Sequence, residues 1–159
     1  MTDLVETTDG DFSWMLGGPP SRSDLVLPPG GVDAPATLVI VRAIHAAARE
    51  AGRPGAWMMV AGGEIVGLCG AVRPPDEPGV MEIGYGVAPA RRRRGHAARA
   101  VAAMVAAARA DPAMTAVTAV TAEDNAASHG VLVRNGFSRT GRDVHDEDGR
   151  VILWRLDLA

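Results

Sequence analysis

Val87-Ala88-Pro89-Ala90-Arg91-Arg92-Arg93-Arg94-Gly95-His96-Ala97 is the stretch of this 159-residue chain on which its reading turns. A strand-like run from Met81 to Val87 leads into it. An alanine-rich run from Gly95 to about Ala110 leads out, with Val101, Met104, Val105 and Ala108 spaced for one buried helical face. A strand therefore meets a helix here. A helix N-terminus leaves about four backbone N–H groups without partners and carries roughly half a positive charge. Gly95 and Ala97 give a phosphate room to approach that backbone, and the guanidiniums add charge and bidentate geometry. The junction suits a diphosphate, yet it has neither the G-x-G-x-x-G of dinucleotide folds nor the G-x-x-x-x-G-K-[ST] of P-loops.

Upstream of the junction, Trp57 to Ala61 and Glu64 to Ala71 are apolar runs flanking Gly62-Gly63, which predicts a tight antiparallel hairpin. Arg73 to Gly79, with three prolines, reads as a surface loop. Leu38, Val41, Ile44, His45 and Ala48 recur at helical spacing from Pro35 until Gly52 and Pro54 stop them. Residues 1–35, dense in Gly-Gly and Pro-Pro pairs, read as an irregular arm anchored by Phe12, Trp14, Met15 and Leu16, with a short helix as one form of that anchor. Downstream, Thr115 to Ala122 suits a strand. Asp124 or Asn125 can cap a helix that ends at Asn135-Gly136. Arg139 to His145 and Val151 to Leu158 form a last hairpin, with Ile152, Trp154, Leu156 and Leu158 on one face. The order gives one α/β domain over residues 1–159 with a single central βαβ crossover, its motif-bearing core at residues 56–158.

Composition removes several function classes. All 16 basic residues are arginine, so Schiff-base, pyridoxal-phosphate and P-loop lysine chemistry are impossible. The formal net charge of −3 argues against a general nucleic-acid binder. Cys69 is the single cysteine and lies in an apolar strand, where it reads as a core residue, so neither a disulfide nor a cysteine zinc cluster is expected. His45, His96, His129 and His145 lack metal-ligand spacing, and no metal is expected. Met1 to Gly10 carries three acidic residues and no basic, apolar leader. No apolar run approaches the ~20 residues of a membrane span, so a cytoplasmic setting without a membrane partner is expected.

The junction resembles the acetyl-CoA loop of the GNAT acetyltransferase superfamily, V-x-P-x-x-[RQ]-x-x-G-x-[GA], with Val87, Pro89, Arg92, Gly95 and Ala97 on the pattern. Two further stretches are similar to the ribosomal-protein N-acetyltransferase (Rim-like) branch. Glu82-Ile83-Gly84-Tyr85-Gly86-Val87 resembles its fourth strand. Asn125-x-x-Ser128 followed by Leu132-x-x-x-Gly136-Phe137 resembles its N-x-x-S…L-x-x-x-G-F signature. The resemblance implies a mixed, mostly antiparallel twisted sheet with flanking helices, and an N-acetyltransferase moving acetyl from acetyl-CoA directly to a primary amine. The acceptor would be a protein N-terminus or a small molecule, bound partly by the N-terminal region.

Carried over by position, the resemblance implies that the backbone from Arg92 through Arg93, Arg94, Gly95 and His96 to Ala97 binds the CoA pyrophosphate. Gly86 and Val87 would pair with the pantetheine arm and aim an N–H at the thioester carbonyl, and Asn125 would bond the pantetheine. An attacking amine must be neutral, which makes Glu82 the candidate base, acting through a water. The tyrosine that many relatives use as leaving-group acid is replaced by Leu132, so Ser128 is the candidate proton donor or the donor's anchor. Tyr85 ranks below it, because strand alternation puts it on the face opposite Glu82. Leu132 also motivates an alternative, a catalytically silent CoA-binding sensor of the same fold. Dimerisation is a family trait that no residue here demands.

Overall fold

A computed structural model describes residues 1–72 and 77–158. In chain order it has β1 (Asp3–Glu6), α1 (Asp9–Met15), α2 (Pro35–Glu50), β2 (Ala56–Ala61), β3 (Glu64–Ala71) and β4 (Val80–Val87). Then come α3 (His96–Ala110), β5 (Ala116–Ala122), α4 (Ala126–Arg134), β6 (Ser138–His145) and β7 (Gly149–Asp157). The strands form one sheet in the order β1-β2-β3-β4-β5-β7-β6. Only β4 and β5 run parallel, joined through α3, as the expected crossover requires. The expected loop at Arg73 to Gly79 lies outside the described residues over Arg73–Asp76.

Each face of the sheet has its own core. Phe12, Trp14 and Leu38 from α1 and α2 cover Met58, Ile65 and Leu68 on one face. Val101, Met104 and Val105 of α3, with Leu132 of α4, cover Met59, Val117 and Trp154 on the other. The helical periodicity that marks Val101, Met104, Val105 and Ala108 corresponds to this second face, where all four are buried. Trp154 closes the core with a hydrogen bond from its indole N–H to Thr121 Oγ1 at 2.9 Å.

The N-terminal arm is more ordered than its composition suggests. Asp3–Glu6 adds an edge strand to the sheet, from Asp3 opposite Val60 to Glu6 opposite Trp57. Thr8 and Asp11 then form a reciprocal capping box that starts α1. The Asp11 side chain is fully buried and accepts from the Thr8 N–H (2.8 Å), Ser21 Oγ (2.6 Å), and both Nε (2.9 Å) and Nη2 (2.7 Å) of Arg22. Burial alone would push this carboxyl up. The bonds from Arg22, Ser21 and Thr8 outweigh it and hold the group well below the usual carboxylate range. That buried charge cluster fastens the irregular stretch after Leu16 back onto α1. Truncating Arg22 strands a buried anion, so Arg22→Ala should lower the unfolding free energy by about 3 kcal/mol in urea titrations.

His45 is a second buried polar group, and it must be neutral. Its Nδ1 accepts the Ala56 N–H at 2.9 Å, joining α2 to β2, while its ring stacks at a tilt on Phe12. Burial, then nearby Arg49, lowers its pKa from the ordinary 6.5. A group lowered on folding takes its proton more readily in the unfolded chain. Its stabilising contribution is thus present above 6.5 and lost as pH falls through the folded value. Thermal unfolding at pH 7 and pH 5 should show a drop in Tm that His45→Asn narrows, since Asn can accept the same N–H without titrating; His96, also lowered mainly by burial, contributes in the same direction.

Candidate active site

β4 and β5 pair over only half their length. Val80 to Ile83 of β4 lie opposite Ala116 to Ala119 of β5, and no register continues beyond them. From there β4 follows β3, to Val87 opposite Gly67, while β5 follows β7, to Ala122 opposite Val151. The two strands diverge into a V. The Val72 N–H donates to the Glu82 carbonyl and the Ala88 N–H to the Val66 carbonyl. Antiparallel alternation therefore turns the main-chain groups of Glu82, Gly84 and Gly86 toward β3, and those of Tyr85 and Val87 into the V. Buried N–H and C=O groups need partners, and an extended ligand with amides of its own can supply them. Gly86, expected to share in such pairing, turns its N–H and C=O to β3; what it brings is the space left by its missing side chain.

At the mouth of the V the chain makes a single 3-10 turn, Pro89–Arg91, and enters α3. Arg93 (φ 64°) is the one non-glycine residue with positive φ among those described, a conformation that costs roughly 1–2 kcal/mol. Gly95, in the left-handed region at φ 79°, caps α3 without any side-chain bond. The first amides of α3 are thus left for a ligand. Arg91 is spent structurally in a two-point pair with Glu64. Arg92 reaches the Val87 carbonyl at 3.3 Å, while Arg93 and Arg94 are exposed and make no ion pair among the described residues. The His96 ring points away and meets Thr2 Oγ1 at 2.9 Å, so its backbone, not its imidazole, faces the loop.

Arg99 is a member of this site that the sequence reading missed. Its Nη2 donates to the Arg94 carbonyl at 2.8 Å and its Nε to Thr2 Oγ1 at 3.0 Å, bracing the loop from behind. Its place four residues after Gly95 on a helix was the available signal. A Cβ on Gly95 would stand 2.9 Å from Arg99 Nη1, a contact the flexible guanidinium can relieve by shifting, so it is the φ of 79° that calls for glycine here.

Beyond the V stands the start of α4. Asn125 is the cap, and its side-chain carbonyl accepts the Ser128 N–H at 3.2 Å; its Nδ2 makes no bond among the described residues. Tyr85 lies on the opposite face of β4 from Glu82, as expected. Its hydroxyl nevertheless donates to the Ser128 carbonyl at 3.2 Å, tying β4 to α4. Burial raises the Tyr85 pKa, partly offset by that bond, so the phenol stays protonated at neutral pH. Leu132 is wholly inside the core and presents nothing to the V.

Glu82 is half-buried on the α2 face of β4, one residue before the pairing with β5 ends. Farther along this face, a cleft of about 200 Å³ lies between α2 and β4, with Asp33, Thr37, Val41, Ile44, Gly84 and Gly86 in its walls. A larger hollow of about 570 Å³ lies at the other end of β4, among Leu4, Trp57, Met81, Met104 and Met114. It is away from the V and the α3 N-terminus, and it lacks their converging donors. Burial pushes the Cys69 thiol up to about 12, which rules it out as a nucleophile at neutral pH. Among the described residues no three His, Cys, Asp or Glu side chains come together as metal ligands, and no helix is long and apolar enough to cross a membrane.

Comparison with solved structures finds the same architecture at low identity. A spermidine N-acetyltransferase SpeG chimera from Vibrio cholerae and hSSAT superposes with a TM-score of 0.74 at 11% identity, covering 99% of this chain and 95% of that one. The aminoglycoside acetyltransferase AAC(6')-Ib in complex with coenzyme A gives 0.71 at 18% identity, with 99% and 95% covered. RimL, a ribosomal L7/L12 α-N-protein acetyltransferase in complex with coenzyme A, gives 0.71 at 14%, with 98% and 93% covered. A search of curated proteins returns no match to the sequence. The family described as "Acetyltransferase (GNAT) domain" matches residues 29–138, which include the V, the arginine loop and α4, and the chain belongs to that family.

Proposed function

We propose that the protein is an acetyl-CoA-dependent N-acetyltransferase that moves the acetyl group directly to a primary amine, in a cytoplasmic setting. The observation that carries this reading is the V, whose unpaired main-chain donors at Tyr85 and Val87 lead straight to the uncapped start of α3. Three structural neighbours that hold coenzyme A or acetyl-CoA support it.

In this reading the amides from Arg92 to Ala97 hold the pyrophosphate, with Arg92, Arg93 and Arg94 adding positive charge at the rim. The edge of β4 pairs with the pantetheine arm, and Asn125 Nδ2 bonds it from the α4 side. An N–H of Tyr85 or Val87 donates to the thioester carbonyl, where negative charge develops during attack; one such donor is worth roughly 3 kcal/mol in other enzymes. Glu82 takes a proton from the acceptor's ammonium through a water, leaving a neutral amine. The amine nitrogen bonds to the carbonyl carbon and the C–S bond breaks; the nitrogen gives up one N–H proton to become the amide, and the sulfur, leaving as a thiolate, takes up one in exchange, so the donor's proton is replaced by the nitrogen's. Ser128 serves this step as anchor: its carbonyl holds the Tyr85 hydroxyl, which is the protonated donor at neutral pH.

Two measurements test these roles. Glu82→Gln should reduce kcat about 100-fold at pH 7, with the loss shrinking at high pH, where the amine arrives already deprotonated. Turnover that is unchanged across pH would remove Glu82 as the base. Replacing Arg92, Arg93 and Arg94 together with alanine should raise the KM for acetyl-CoA about tenfold at low salt, leave kcat within about twofold, and lose most of that difference near 1 M salt. An equal loss in kcat would place the arginines in the chemical step instead.

A further inference from the structure

Asp33 stands where a carboxylate does most for an incoming amine. Its Oδ1 accepts the Ala34 N–H at 2.7 Å, which fixes the orientation of the group. Its Oδ2 makes no bond among the described residues and lies 3.4 Å from where a Cβ on Gly86 would be. The carboxylate therefore rests directly over bare backbone, between the two residues whose main-chain groups enter the V. Glu82 lies on the same face of β4, four residues earlier and so about 13 Å along the strand. Asp33 and Glu82 thus stand at opposite ends of this stretch of β4, with the Val72 side chain packed over Gly84 between them.

The remaining walls of this cleft are of another kind. Thr37, Val41 and Ile44 recur on one face of α2, and Ala56, Leu68 and Val72 are among the residues that face them. One anionic head faces an apolar wall. The volume of about 200 Å³ is below the ~300–1,000 Å³ of sites that enclose drug-sized ligands.

We propose that Asp33 seats the ammonium of the acceptor, and that the acceptor is a small monoamine whose apolar body lies along Val41 and Ile44. The inference rests on the acetyltransferase reading and deepens it by naming the acceptor class. Asp33 binds and orients the cation, and a file of waters along the cleft carries its proton to Glu82, so the water of the proposed mechanism is the last member of a relay. A polyamine or a multi-ring aminosugar would bring further charges or hydroxyls against Val41 and Ile44, where they would lose water without gaining partners.

The test uses the full chain with n-hexylamine as probe, beside n-hexanol, spermidine and an alanine-initiated hexapeptide. Hexylamine should raise the Tm of the protein and hexanol should not. Asp33→Asn keeps an oxygen for the Ala34 N–H, and should abolish the hexylamine shift without lowering the ligand-free Tm. With acetyl-CoA present, Asp33→Asn should raise the KM for hexylamine at least 30-fold, leave kcat within threefold and leave the KM for acetyl-CoA unchanged. Val41→Asp should turn the preference from hexylamine to 1,6-diaminohexane.

Absence of a hexylamine shift in the unaltered protein, or a shift that survives in Asp33→Asn, overturns the proposal. So does a tenfold preference for spermidine or the peptide over hexylamine. An Asp33-dependent shift with no CoA release from any amine would support the cleft assignment and overturn the acetyltransferase reading instead, which keeps the two failures apart.

Discussion

The parting of β4 from β5 after Ile83 is the constraint from which the rest of the site follows. A parallel pair joined by a helix would ordinarily continue its ladder to the strand ends. Here each strand keeps its antiparallel partner and abandons the other, and antiparallel pairing is the slightly more stable of the two per residue. The result is an exposed main-chain edge inside a folded protein, with the α3 N-terminus at one end and the α4 cap at the other. Tyr85 bridges the far side to Ser128, and Arg99 braces the near side through the Arg94 carbonyl. Neither clamp would have a purpose if the ladder were closed.

Charge is distributed to match. The chain carries a net −3, yet four guanidiniums stand within one loop. Among the described residues only Arg91 of the four is neutralised, by Glu64, and that pair fixes the loop to the β2–β3 hairpin. The other three remain at the rim. On the opposite face of β4 the polarity reverses, with Glu82 and Asp33 presented toward α2. A thin strand, without side chains at Gly84 and Gly86, thus separates a surface suited to phosphates from one suited to ammonium groups.

Much of this was legible in the sequence because its signals were local. The Gly62-Gly63 turn, the α3 periodicity and the Asn135-Gly136 stop each sit within a few residues of the element they define, and the strand-loop-helix order carries the crossover with it. What stayed hidden depends on distant partners. β1 is four residues long and pairs with residues more than 50 positions away, so no alternation announces it. Asp33 sits in an irregular segment whose only visible signal was punctuation. Tyr85 was ranked by the face it occupies, when what brings it to the site is a hydroxyl that reaches another helix. Of the Gly86–Val87 pair expected to meet the pantetheine, strand parity leaves the main-chain part to Val87 and Tyr85, which a motif match alone does not distinguish.

The bonds from Thr2 to His96 and Arg99 bear on the order in which the molecule is assembled. Arg99 holds the arginine loop with one nitrogen and Thr2 with another, so the loop is braced from a residue 97 positions earlier in the chain. Closing so long a span brings no gain until both ends are in place, which puts such contacts late in folding. Thr2 completes these contacts only once α3 is in place, although β1 beside it can already pair with β2. A chain with its sheet largely formed would therefore still lack a finished phosphate loop, and affinity for the cofactor would arise as one of the last properties of the native state.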